Sequence, residues 1–96
     1  MPELRRVVLD VLKPHDPPLL QFTDRVAAVS GVDGATSSLI ELDKEVQNVK
    51  ITVAGEALEY EAIEAAVEEL GGTVHSVDHV ACGAAVVEEP RTLQDD

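Results

Sequence analysis

The run Arg5-Arg6-Val7-Val8-Leu9-Asp10-Val11-Leu12-Lys13, followed by Pro14-His15-Asp16-Pro17-Pro18, decides the fold. Side chains on a strand alternate between two faces, so Val7, Leu9 and Val11 share one side while Arg6, Val8, Asp10 and Leu12 share the other. An apolar side opposite a mixed one predicts a first strand over residues 5–13 with one buried face. Pro14, Pro17 and Pro18 end it, and Asp16 ahead of Pro17 has the form of a helix N-cap followed by proline at the first helical position. Leu19, Phe22, Val26 and Val29 then recur at spacings of three and four, which predicts an amphipathic helix that stops near Gly31.

Alternation returns over residues 39–45, with Ile40 and Leu42 opposed by Glu41, Asp43 and Glu45, and over residues 48–54, with Val49, Ile51 and Val53 inward. The short connection at 45–48 makes these two strands an antiparallel hairpin. A second helix over residues 57–70 carries Tyr60, Ile63, Val67 and Leu70 on one stripe, and Gly71-Gly72 stops it. A fourth strand follows over residues 73–81. The chain therefore reads as one domain over residues 1–83, with residues 84–87 prolonging the last strand or pairing with a neighbour and residues 88–96 forming an acidic mobile tail.

The order β-α-β-β-α-β predicts an α+β, ferredoxin-like sandwich: a four-stranded antiparallel sheet in spatial order 4-1-3-2 with both helices on one face. Right-handed crossovers then gather the end of strand one, the turn between strands two and three, and the start of strand four at one pole. The other sheet face is left open, a half-apolar surface of Val8 and Leu12 among Asp10, Glu41, Asp43, Lys50 and Thr52.

Three runs carry a resemblance: residues 9–18 (Leu9 to Pro18), the turn Gly31-Val32-Asp33-Gly34, and residues 69–78 (Glu69 to Asp78). Together they resemble the archaeal domain-of-unknown-function family 211, over about residues 5–83. The resemblance implies a small ferredoxin-like domain that assembles into a ring-like homo-oligomer, and it implies no catalytic activity.

Composition narrows the function. The chain has 96 residues, 19 of them acidic and 7 basic, for a formal net charge of -12. A domain of this size buries only roughly 60 to 65% of its unfolded surface, so partner surfaces are expected to complete its core. Phosphate-backbone binding needs clustered Lys and Arg, and only Arg5 and Arg6 are adjacent, which argues against nucleic acid and against an anionic membrane. The absence of a bilayer-length apolar run or a signal-like N-terminus, together with the single Cys82, predicts a cytoplasmic protein. Acidity is spread along the chain, and Glu61, Glu64 and Glu68 form a row of like charges on the second helix that molar salt would screen. That pattern predicts adaptation to a salt-rich interior.

Candidate chemistry gathers at the pole. Lys13, His15 and Asp16 leave strand one where His75 enters strand four, a set able to hold a small ligand; the alternative has His15 capping the proline turn and His75 and Asp78 satisfying local backbone groups. Asp10, Glu41, Asp43 and Asp78 are candidate ligands for Ca2+ or Mg2+, with Glu41, Asp43 and Glu45 projecting together from an edge strand at ~6.8 Å intervals. Edge protection by charge explains the same row. Asp10, lying across from Lys50, reads best as half of a salt bridge, and Cys82 as a small buried or interface residue. His75 and His79 would stand ~13 Å apart on a strand, too far to share one zinc ion. The sequence holds no phosphate loop, paired cysteines or serine elbow. The expected function is therefore a non-enzymatic, homo-oligomeric binding or scaffold domain that takes up divalent cations; the alternative is a small-molecule sensor with its ligand at a subunit boundary near His15 and His75.

Overall fold

In the computed structural model, residues 3–85 and Val87 are described. They form β1 (Leu4–Pro14), α1 (Leu19–Ala27), β2 (Gly34–Leu42), β3 (Val46–Ala54), α2 (Tyr60–Glu69) and β4 (Thr73–Cys82). The sheet runs β2-β3-β1-β4, with every neighbouring pair antiparallel. This is the expected ferredoxin-like βαββαβ arrangement.

Alternation explains the core. Val7, Leu9 and Val11 on β1 and Val49, Ile51 and Val53 on β3 have no exposed surface, and they pack against Phe22 and Val26 of α1 and Ile63 and Val67 of α2. Register makes the layers coincide, since Val7 pairs with Val53, Leu9 with Ile51 and Val11 with Val49. One departure sits on this face. Lys13, next in the alternation, is also fully buried.

The helix ends follow local chemistry. α2 closes in a Schellman motif, with the Gly72 N–H donating to Val67 O at 2.9 Å, the Gly71 N–H to Glu68 O at 3.0 Å, and Gly71 at φ +88. α1 starts later than the expected Asp16 cap. Pro18 stands at its N-cap with no side-chain bond to the helix, and the Asp16-Pro17 peptide is cis. Pro18 disfavours helical backbone at the residue before it, so Pro17 cannot join the helix.

β2 differs most from expectation. It begins at Gly34, five residues ahead of the predicted start, because Gly34 to Leu39 pair in register with β3 although their small polar side chains show no apolar alternation. The Thr23 hydroxyl of α1 donates to Leu19 O at 2.8 Å and accepts the Ser37 hydroxyl at 2.6 Å, fastening the helix to this strand. The ladder shifts between Leu39 and Glu41, and the strand ends at Leu42, so Asp43, Lys44 and Glu45 form the turn, with the Asp43 N–H donating to Val46 O at 2.9 Å. A straight row of Glu41, Asp43 and Glu45 on one strand therefore does not form. Ile40 and Leu42, read as inward, are exposed.

β4 is an edge strand whose pairing with β1 shifts three times. It ends at Cys82, which is exposed rather than buried; Ala84 and Ala85 form no strand, and Val86 and residues 88–96 lie outside the described residues. Backbone bonds tie this end together, from Gly83 N–H to Glu3 O, Leu58 N–H to Leu4 O and Gly55 N–H to Arg5 O. The Arg5 guanidinium adds bonds to Gly55 O, Gly83 O and Ala84 O.

Candidate functional site

The pole opposite that clasp is where β1 ends, β2 turns into β3 and β4 begins. The open sheet face there is concave, with a cavity of about 490 Å³ lined by Asp10, Leu12, Glu41, Leu42, Asp43, Val46, Asn48 and His75. Pairing is irregular on both of its flanks. The ladder shift after Leu39 lies on the β2 side, and on the β4 side His75 is left unpaired between Val74, opposite Val11, and Ser76, opposite Asp10. Such irregularities bend a strand and re-aim side chains. Between them β1 and β3 supply the floor, with Leu12 directly across from Asn48.

The ligand set expected at this pole and the separate set of candidate metal ligands are redistributed. Asp10, Glu41 and Asp43 line one cavity together with His75. Asp78 does not join them; its carboxylate accepts the Ser76 hydroxyl at 2.7 Å farther along β4. Asp10 faces Lys50 in register, yet its carboxylate accepts a hydrogen bond from Asn48 Nδ2, so the expected salt bridge gives way to a contact with the amide one rung away. Among the described residues no three His, Cys, Asp or Glu side chains stand close enough to hold a metal ion.

Lys13 is a correction. Its alternation with Leu12 puts it on the helix side of the sheet, where the ammonium donates to Pro14 O at 2.8 Å and to Gln47 Oε1 at 2.9 Å and lies 5.8 Å from the centre of the Phe22 ring. Burial pushes its pKa below the usual lysine value, against a smaller upward pull from Asp16. It cannot reach a ligand on the open face. His15 is exposed in the proline turn, and its Nε2 lies 3.0 Å from Asp43 O, which pins the β1–α1 loop to the β2–β3 turn. Asp16 is exposed in the same loop and does not line the cavity. Of the ligand set Lys13, His15, Asp16 and His75, only His75 faces the concavity. Asn48, Leu42 and Val46 complete the lining; the alternation of residues 48–54 carried a signal for Asn48, whose position opposite Asp10 and Leu12 follows once that strand is paired with the first.

The site is an anionic, mostly polar trough that Leu12, Leu42 and Val46 also line. It has three carboxylates, an amide and an imidazole, and neither lysine nor arginine. It can bind a cationic or hydrogen-bond-donating group, and its charge disfavours an anion.

The comparisons name a family and carry no activity. The profile of a family described as "Uncharacterized ArCR", a domain of unknown function, matches residues 5–96. A curated protein of the archaeon Methanocaldococcus jannaschii, itself described as uncharacterized, is 44% identical over 92 residues, covering 96% of this chain and 95% of the relative. With the match running through nearly the whole length of both, the chain belongs to domain-of-unknown-function family 211.

Proposed function

We propose that this chain is a non-enzymatic domain that works as a homo-oligomer, joined through the two free edges of its sheet. The observation that carries this reading is where charge is withheld. Charged residues make up 27% of the chain, but β2 has one in nine, Glu41, and β4 has only Asp78 besides its two histidines. Free edges of monomeric proteins are guarded by charge or proline. Here they expose apolar side chains instead: Leu39, Ile40 and Leu42 on β2, Val77 and Val80 on β4.

Topology supports head-to-tail joining. β2 runs parallel to β1 and opposite to β4, so β4 of one copy set beside β2 of the next continues the antiparallel alternation and keeps all helices on one face. Such an interface closes into a ring when the rotation per subunit permits. Divalent cations, Ca2+ or Mg2+, then fit between copies, because a second set of carboxylates completes what one copy lacks. The surface charge makes a salt-rich cytoplasm the natural setting. Light scattering coupled to size exclusion in molar KCl, with EDTA and then with millimolar Ca2+ or Mg2+, tests this. A discrete assembly is expected, smaller with EDTA if cations bridge it, and a monomer in every condition overturns it.

A second reading, a ligand-sensing domain, draws support from the cavity beside His75. It predicts a saturable ligand-dependent thermal shift.

A further inference from the structure

We infer that neighbouring copies of this chain are joined by an ion pair, from the His75 imidazolium on β4 of one copy to the Glu41 carboxylate on β2 of the next, so that assembly tightens under mildly acidic conditions. The inference rests on the homo-oligomer reading above and adds to it a register, a polar contact and a pH dependence.

The register follows from rungs that cross the whole sheet. Thr73, Leu12, Asn48 and Glu41 lie on one rung, and Val74, Val11, Val49 and Leu39 on the next. Two further rungs run from Val77 to Ser37 and from Val80 to Ala35. A second copy set beside β4 without sliding therefore brings its Leu39 against Val74, its Ser37 against Val77 and its Ala35 against Val80. All six share rungs with core residues and so stand on the helix side of the sheet, where the small Ser37 and Ala35 meet the exposed Val77 and Val80.

On the open face the same register sets opposite charges side by side. Glu41 of the incoming copy stands across from Thr73, which makes His75 its diagonal neighbour, about 7–8 Å away and within reach of two long side chains. Both side chains point to that face, since both line its cavity. Sliding the copy until its Leu39 meets Val77 keeps the contact, because Glu41 then faces Ser76, next to His75. Glu41 is the one charged residue of β2, and the remaining open-face rungs set Ser38 against Ser76 and Thr36 against His79.

The pH dependence comes from what joining adds. Around His75 within one copy stand Asp10 on β1, Lys50 beyond it on β3, Asp78 and His79 on β4, and Glu41 and Asp43 across the cavity, while both helices lie on the other face. These groups are present in the free copy as well. Joining adds one carboxylate, so the joined state holds the imidazole proton more firmly. Association then takes up protons and tightens as pH falls from 8 to 6, the range in which histidine gains its charge.

Sedimentation velocity of the full-length protein, over a dilution series in 0.2 M KCl at pH 8.0, 7.0 and 6.0, tests the inference. Association is expected to be roughly 1.5- to 5-fold tighter per contact at pH 6.0 than at pH 8.0. Because acidification also lowers the overall negative charge, His15→Gln, His75→Gln and His79→Gln are compared: each removes one histidine, and only His75→Gln should flatten the dependence. Glu41→Gln should flatten it too, and His75→Lys should keep association tight at pH 8.0. The exchange of His75→Glu with Glu41→His should restore the dependence. An assembly indifferent to pH, one that weakens on acidification, or equal flattening by all three histidine variants overturns the ion pair and leaves the homo-oligomer reading standing. A monomer at every pH removes both.

Discussion

Lys13 shows how much one residue depends on its place in the alternation. Its neighbours on the buried face are Val11 and Leu9, and it keeps their side of the sheet at the cost of desolvating an ammonium group. The folded pKa lies below the ordinary 10.5, so the unfolded chain binds more protons in the interval between the two values, and stability rises with pH there. Tyr60 acts in the opposite sense. Burial, and then the neighbouring Glu64, push its pKa above 10.0, so the stability tied to its neutral form is complete below pH 10.0 and is lost as pH climbs toward the folded value. Urea denaturation across this alkaline range should show the two trends separated by substitution: Lys13→Met removes the rise, Tyr60→Phe removes the fall. Gly55 gives a steric prediction. A Cβ there would stand 2.3 Å from Gly31 O and 2.7 Å from Leu58 Cδ2, so Gly55→Ala should lower unfolding free energy by about 1–3 kcal/mol.

At the scale of elements, β2 is held by register and by α1 more than by its own composition. The Thr23–Ser37 hydroxyl pair is the visible fastening, and a double-mutant cycle of Thr23→Ala and Ser37→Ala should give a coupling of about 0.5–1.5 kcal/mol. The outer side of the same strand is free. Leu42→Lys combined with Ile40→Lys places two charges on an edge that has one, and should shift the protein to monomer in light scattering with little change in its circular dichroism. α2 carries a different cost, because Glu61, Glu64 and Glu68 follow one another at helical spacing.

For the whole molecule, charge is the dominant global property. A net charge of -12 on 96 residues repels itself in dilute buffer, and the Debye length falls to ~3 Å in molar salt. The thermal midpoint should therefore climb as KCl is raised toward molar concentration, and a midpoint highest in dilute buffer would refute the high-salt reading. Shape follows from one-sided packing. Both helices cover the face of Val7, Leu9 and Val11, which leaves the other face, with the trough where β1 ends, uncovered by either helix.

The periodicities of this sequence determined most of its elements by themselves. Two periods are legible in local spacing, which is why β1, β3, α2 and the strand order could be read from Val7-Leu9-Val11, Val49-Ile51-Val53 and Ile63-Val67. The early start of β2 was not legible, since Gly34 to Ser38 have no apolar rhythm and become strand only through pairing with β3. The candidate site was legible in part: His75 was expected at this pole and Asp10, Glu41 and Asp43 on the open face, but that these four line one cavity was not. Which of the polar residues face each other was decided by tertiary structure alone. The ladder shift beside His75 accompanies the imidazole's place at the trough, and the Asn48 amide rather than Lys50 bonds Asp10, whereas the burial of Lys13 follows from the same alternation as Val7, Leu9 and Val11. A one-residue slip reverses every later side chain on a strand, and nothing in local sequence marks where the partner strand will impose it.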